Sequence, residues 1–114
     1  MTDKSFDPNK TNFNADTLDE WLNSPVGENL EDCPGIGPAN ADILRSHGVT
    51  TTFQLLALFL SLKGPRVGSV EICERFYQQL ATWKINAKRG EITQAVAMKL
   101  NNSFPGIWNP EAYR

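Results

Sequence analysis

The chain has 114 residues, of which 40% are hydrophobic and 21% are charged, a composition that is typical of one globular domain and argues against disorder. Its net charge of −2 is unevenly spread along the sequence. Residues 1–32 hold eight acidic and two basic residues, whereas residues 33–114 hold nine basic and five acidic residues. This distribution predicts an acidic leader in front of a mildly basic body and does not suggest a strongly basic DNA-coating protein.

The sequence shows no sign of a secretory or membrane-spanning segment. Residues 1–4 are polar, and the most apolar run, residues 55–60, is far too short to span a bilayer. Cys33, Cys73 and His47 do not have the spacing of a zinc site. We therefore expect an intracellular protein with two reduced, partly buried thiols, no metal and no membrane insertion.

The first third of the chain predicts a mobile leader followed by two short helices. Residues 1–16 contain few apolar side chains and form the flexible acidic leader. The capping box that begins at Thr17 starts a helix over residues 18–23, which ends at the dipeptide Ser24-Pro25. A second short helix fits residues 28–32.

Four further helices follow, and glycine, proline and capping residues mark their ends. The first runs from Pro38 to about His47 and is closed by Gly48. The caps predicted for the next three helices are one of Thr50, Thr51 or Thr52, then Ser69, then Asn86. The residues expected to face the core at helical spacing are Phe53, Leu56, Phe59 and Leu60, then Cys73, Phe76, Tyr77, Leu80 and Trp83, and finally Ile92, Ala95, Val96 and Leu100.

These elements predict an all-α protein without strands. We expect a compact domain of five or six helices over residues 17–103 that is SAM-like and contains a helix-hairpin-helix. Residues 104–114 are irregular but aromatic, so we expect this tail to pack back on the helices.

One motif carries most of the functional information. From Leu30 to Gly48 the sequence reads Leu-x-x-Cys-Pro-Gly-Ile-Gly-x-x-x-Ala-x-x-Leu-x-x-x-Gly. Gly35 and Gly37 allow a tight turn and the close approach of another molecule, while Ile36 plugs the turn into the core. The amides of Gly37, Ala39 and Asn40 then point outward at a helix N-terminus, a geometry that binds phosphate.

A second candidate phosphate site lies at the start of the last helix. Asn86 is a good N-cap, Ala87 keeps the backbone exposed, and Lys88 and Arg89 add positive charge beside unpaired amides. Taken alone, this pattern is also that of an ordinary capped and solvated helix start. Taken together with the hairpin motif, the pattern favours the phosphate role.

The nineteen-residue motif resembles the helix-hairpin-helix family, which binds the DNA backbone. The match continues with Pro25-Val26-Gly27, Gly48-Val49, Phe59-Leu60-x-Leu62-Lys63, Phe76, Leu80 and Asn86-Ala87-Lys88. Over about residues 25–100 the chain is thus similar to the barrier-to-autointegration factor family, small helical DNA-bridging proteins of chromatin.

The resemblance implies double-stranded DNA binding at both amide clusters without sequence preference, and a homodimer that bridges two duplexes. It further implies a nuclear location, with a cytoplasmic pool also allowed, and LEM-domain or lamin-type partners. The chain departs from the family pattern at Asp42 and Ile43, where lysines are expected, and at Gln79, where a tryptophan is expected. Because of these departures, the resemblance supports the dimer geometry and the nuclear partners less strongly than it supports DNA binding.

No catalytic residue set is recognisable in the sequence. His47 stands beside Gly48 and is better explained as a helix C-cap, and no serine or cysteine is paired with a base by any known motif. We therefore expect neither an enzyme nor a cofactor. The alternative to DNA binding is a helical protein-interaction module that keeps the hairpin only as a scaffold.

Overall fold

A computed structural model describes residues 6–113 and shows an all-α domain, which confirms the predicted fold class. Its five helices are α1 (Ala15–Asn23), α2 (Pro38–Ser46), α3 (Thr52–Ser61), α4 (Ser69–Thr82) and α5 (Arg89–Ser103). Short 3₁₀ turns cover Pro8–Lys10, Leu30–Asp32 and Pro110–Tyr113, and residues 6–113 contain no strand.

Helix α5 is the centre of the domain, in contact with α1, α3 and α4. Its side chains are buried on several sides, as expected for a helix surrounded by other helices. The buried residues of α5 are Ile92, Thr93, Ala95, Val96, Ala97, Lys99 and Leu100. Because α5 is enclosed, its N-terminus lies at a fixed place relative to the rest of the fold.

The N-terminal region differs from the flexible leader predicted over residues 1–16. Residues 1–5 lie outside the described part, but Phe6 is 5% exposed, and α1 begins at Ala15 rather than Leu18. The cap of α1 is Asn14, whose side chain accepts the amides of Asp16 and Thr17. Since Asn14 already satisfies these two donors, the capping box predicted at Thr17 is not used.

Two other local predictions are wrong. The helix predicted over residues 28–32 is a single 3₁₀ turn, Leu30–Asp32, capped by Asn29. In α3, Phe53 is 54% exposed rather than in the core, and Leu55 is fully buried in its place. Thr51 caps α3 through its side chain, so Phe53 falls in the exposed part of the first turn.

The N-caps of α4 and α5 also differ from the prediction. The cap positions are held by Gly68 and Lys88 instead of Ser69 and Asn86, and neither cap makes a side-chain hydrogen bond. In contrast, α2 begins at Pro38 and is followed by Gly48 with φ +87°, as predicted. In the tail, Trp108 is buried and the amide of Asn109 donates to Ser69 Oγ at 2.7 Å.

Lys99 is a buried cation that ties α5 to the end of α1. Its ammonium donates to the backbone oxygens of Trp21 and Ser24 and lies 4.7 Å from the centre of the Trp21 ring. Burial lowers the pKa of Lys99, and burial raises the pKa of the nearby Cys33 thiol. Cys33 and Cys73 are both buried and are not joined by a disulfide.

Within residues 6–113, no helix combines the length and apolar character needed to cross a membrane.

Candidate nucleic-acid interface

The hairpin turn is closed by its own backbone and anchored by one side chain. The amide of Ile36 donates to the oxygen of Cys33 at 3.0 Å, and Gly35 has φ +94°. The side chain of Ile36 is 5% exposed and belongs to the core. Ile36 therefore plugs the turn into the domain as predicted, and it can offer only backbone atoms to a ligand.

The N-terminus of α2 presents unpaired amides to solvent. Gly37 is the N-cap and has no side chain to occupy them, and Pro38 has no N–H. Within the described part of the chain, the amides of Gly37, Ala39 and Asn40 have no hydrogen-bond acceptor. A β-carbon at Gly37 would have no atom within 4 Å, so the space beside these donors is open. Such a helix end attracts anions, since its amides and its dipole both favour negative charge.

The start of α5 offers a longer run of unpaired amides than predicted. Within residues 6–113, no amide from Asn86 to Glu91 finds a protein acceptor, and the first bond of the helix joins the Ile92 amide to the Lys88 oxygen. The helix itself begins at Arg89, and the exposed residues 86–88 precede it with a bend at Ala87 and Lys88. Lys88 has left-handed backbone angles, φ +66° and ψ +20°, directly before the right-handed helix. Successive residues of opposite handedness turn their amides to one side and form an anion-binding concavity.

The two amide clusters are parts of one surface because the hairpin packs directly on α5. A β-carbon at Gly35 would lie 2.9 Å from Ile92 Cγ1 and 3.3 Å from the Ile92 backbone nitrogen. Only a glycine allows this close approach. Part of the glycine pattern of the motif is thus explained by packing inside the protein.

Asn40 joins the two clusters through its side chain. Its Nδ2 donates to the Gly35 oxygen at 3.3 Å and to the Ala87 oxygen at 3.1 Å. One side chain therefore holds the hairpin and the bend before α5 at a set separation, while the Asn40 backbone amide remains unpaired.

The charged side chains around this surface are arranged unequally. Lys88 is exposed, whereas Arg89 is turned inward: its Nη1 donates to the Ile85 oxygen at 3.0 Å, and its guanidinium carbon lies 5.0 Å from the centre of the Tyr77 ring. Asp42, the acidic residue that follows the hairpin, pairs with Arg45 at 3.0 Å. This exposed pair moderates the repulsion that Asp42 would exert on a phosphate.

The nine residues assigned to DNA binding from the sequence lie together at this surface. Their roles differ, since Ala39, Asn86, Ala87 and Lys88 are exposed, Gly35, Gly37, Asn40 and Arg89 are half-buried, and Ile36 is buried. Sequence reasoning missed the bridging side chain of Asn40. It also missed residues 6–14, six of which line two pockets next to the start of α5. No local signal marks either feature, because each joins residues more than 40 positions apart.

Comparison of the chain with known protein families, with characterised proteins and with solved structures gave no match. Within the described residues, no group of three or more histidine, cysteine, aspartate or glutamate side chains is placed to hold a metal ion.

Proposed function

We propose that the protein binds double-stranded DNA through its phosphate backbone, without reading the base sequence. The observation that carries this proposal is the pair of unpaired amide clusters at the starts of α2 and α5, joined by Asn40 and flanked by the exposed Lys88. Backbone amides at helix N-termini are established donors to DNA phosphates, and such contacts position a protein without giving specificity.

The proposed mode of binding uses both clusters on the same duplex. Because Asn40 and Gly35 hold the hairpin against α5, both sets of donors face the backbone as one rigid surface. Lys88 adds an exposed positive charge, and the exposed Lys10 lines the same pocket as Lys88. The small number of cations here makes amides, rather than a basic patch, the main phosphate ligands.

We further propose that the chain is related to the barrier-to-autointegration factor family and bridges duplexes as a homodimer. The hairpin, the Gly48-Val49 pair and Asn86-Ala87-Lys88 support this relationship. The same resemblance supports a nuclear, chromatin-architectural role and LEM-domain or lamin-type partners. These two proposals rest on the resemblance alone.

The salt dependence of binding tests the basic proposal. With about three to five phosphates engaged, log affinity should fall with log salt concentration at a slope of about −3 to −4. Fluorescence anisotropy with several duplexes of unrelated sequence, titrated at increasing salt, measures this slope. A slope near zero, or a strong preference for one duplex, would contradict backbone binding by this surface.

The bridging proposal predicts a particle of twice the monomer mass. One small domain covers little DNA, so linking two duplexes requires two copies, most simply in a two-fold dimer. Multi-angle light scattering at micromolar concentration gives the mass, and capture of a free duplex by an immobilised one gives the bridging. A monomer that never links two duplexes would reduce the role to coating of DNA.

The alternative is a protein-interaction module in which the hairpin is only a joint between helices. The contact of Gly35 with Ile92 favours it, because this glycine is required for packing whether or not DNA binds. The exposed Phe53 and Phe104 offer apolar surface for a protein partner. Introducing a negative charge at exposed positions of the clusters separates the two functions, because only the DNA-binding proposal predicts a loss of duplex affinity.

A further inference from the structure

The segment of residues 6–14, here called the strap, lies along the start of α5. Its amides bind two carboxylates of the domain: Phe6 N donates to Glu74 Oε1 at 3.0 Å and Asn12 N donates to Glu91 Oε2 at 2.9 Å. The hydroxyl of Thr11 bonds to the side-chain oxygen of Gln94. The strap is therefore docked on α4 and α5 by specific contacts.

The docked strap narrows the approach to the inner part of the α5 amide cluster. A β-carbon at Gly90 would lie only 3.2 Å from the methyl group of Thr11, so the two segments are in close contact. Asp7, Lys10 and Thr11 form one wall of a pocket of about 280 Å³ whose other wall includes Lys88 and Arg89. The strap therefore adds an acidic residue, Asp7, and a basic residue, Lys10, to the pocket that Lys88 and Arg89 also line.

The strap and Arg89 are also linked through one aromatic ring. Phe6 is buried with its ring centre 6.2 Å from that of Tyr77, and the guanidinium of Arg89 lies over Tyr77. The Nε of Arg89 is buried without a hydrogen-bond partner among the described residues. An arginine held in this way gives up part of its hydrogen bonding, and it would gain bonds by turning outward to a phosphate.

We propose that the strap is an autoinhibitory element that, when docked, keeps Arg89 and the inner amides of α5 from DNA. This inference rests on the proposed DNA binding and adds its regulation. With the strap docked, a duplex reaches the hairpin and the exposed residues 86–88. With the strap displaced, Tyr77 is uncovered, and Arg89 exchanges its bonds to the Ile85 oxygen and Asn86 Oδ1 for a phosphate, so that the full cluster engages. The apparent affinity then depends on the fraction of molecules in which the strap is open.

A disulfide lock tests the proposal in a single protein. In Thr11→Cys/Gly90→Cys, the contact distance is compatible with a disulfide between strap and helix, and the buried Cys33 and Cys73 do not compete. We expect the oxidised form to bind duplex at least about threefold more weakly than the same variant after reduction, because the lock abolishes the open state. The reduced form is the matched control, and the Thr11→Cys and Gly90→Cys single variants report any effect of oxidant.

Release of the strap gives the opposite result and does not depend on the lock. Phe6→Ala removes the apolar anchor and should raise duplex affinity by about threefold or more, with unchanged helical circular dichroism. In an Arg89→Gln background the same change should give a smaller increase, because only the inner amides of α5 remain for the strap to withhold. Circular dichroism shows whether each variant keeps its helices. If Phe6→Ala loses its fold, the comparison of the oxidised and reduced lock still tests the proposal.

The outcomes separate this inference from the proposed function. Equal affinity of the oxidised and reduced lock, or tighter binding when locked, would overturn the strap proposal while leaving DNA binding intact. A gain from Phe6→Ala that is equally large in Arg89→Gln would overturn the assigned role of Arg89. If neither the parent nor any released variant binds duplex, the proposed function itself is wrong, and the strap proposal with it.

Discussion

The substitutions Ala39→Glu and Lys88→Glu should each lower duplex affinity by about tenfold or more, equivalent to roughly 1.4 kcal/mol, without loss of fold. Ala39 is exposed in the first turn of α2, beside the unpaired amides of Gly37 and Asn40. Ala39→Glu places a carboxylate where the phosphate is proposed to bind. Lys88→Glu does the same at the exposed cap of α5 and also removes a cation.

The folded state should tolerate both changes. A negative side chain at the start of a helix is favourable by about 0.3 to 1 kcal/mol because it meets the positive end of the helix dipole. Melting temperature and helical circular dichroism should therefore stay unchanged or rise slightly. Affinity losses accompanied by a lower melting temperature would not count as evidence for a site.

A matched control comes from other exposed positions of the same residue types. Ala57→Glu on α3 and Lys63→Glu after α3 introduce the same charges away from the two clusters. We expect each to change duplex affinity much less than its counterpart. If Ala39→Glu and Lys88→Glu both bind within about twofold of the parent, or no more weakly than the controls, this surface is not the DNA site. The scaffold function would then be favoured.

Gly35→Ala should be the most destabilising single change at this surface, and Gly48→Ala is its control. Both glycines have left-handed backbone, with φ +94° and +87°, so both substitutions carry a strain of about 1–2 kcal/mol. A β-carbon at Gly48 would have no atom within 4 Å, whereas at Gly35 it would press on Ile92 at 2.9 Å. Overpacking of this kind adds about 1–3 kcal/mol.

The measurement is the difference in thermal stability between the two variants. Each kcal/mol lowers the melting temperature of a domain of this size by about 4–8 °C, so Gly35→Ala should melt clearly below Gly48→Ala. Since the clash separates the hairpin from α5, Gly35→Ala should also weaken duplex binding at temperatures where it remains folded. Equal melting temperatures for the two variants would show that the hairpin is not pressed against α5.

The sequence by itself was sufficient for the helical class, for α2 and for the identity of the hairpin. These features depend on local rules: proline at a first helical position, glycine after a helix, and a buried plug between two glycines. The nine residues proposed for DNA contact were also found from local pattern, because an unpaired helix N-terminus is a property of a few consecutive residues.

Only the tertiary structure decided which local signals were used. The capping box at Thr17 and the cap at Asn86 are both reasonable patterns, yet Asn14 and Lys88 hold the cap positions. Local preferences differ by about 1 kcal/mol at such positions, so contacts with the rest of the fold can reverse them. Phe53 shows the same limit. Its helical spacing predicts a core position, but in α3 Phe53 is exposed and Leu55 is buried instead.

The joining of the two amide clusters also belongs to the tertiary structure. Asn40 reaches the Ala87 oxygen across 47 residues, and Thr11 reaches Gln94 across 83. No periodicity or motif encodes such pairs, because their contact exists only after α5 is enclosed by the other helices. The sequence thus predicted two patterns proposed to bind phosphate, whereas packing around α5 decided that they share one surface and that residues 6–14 lie beside it.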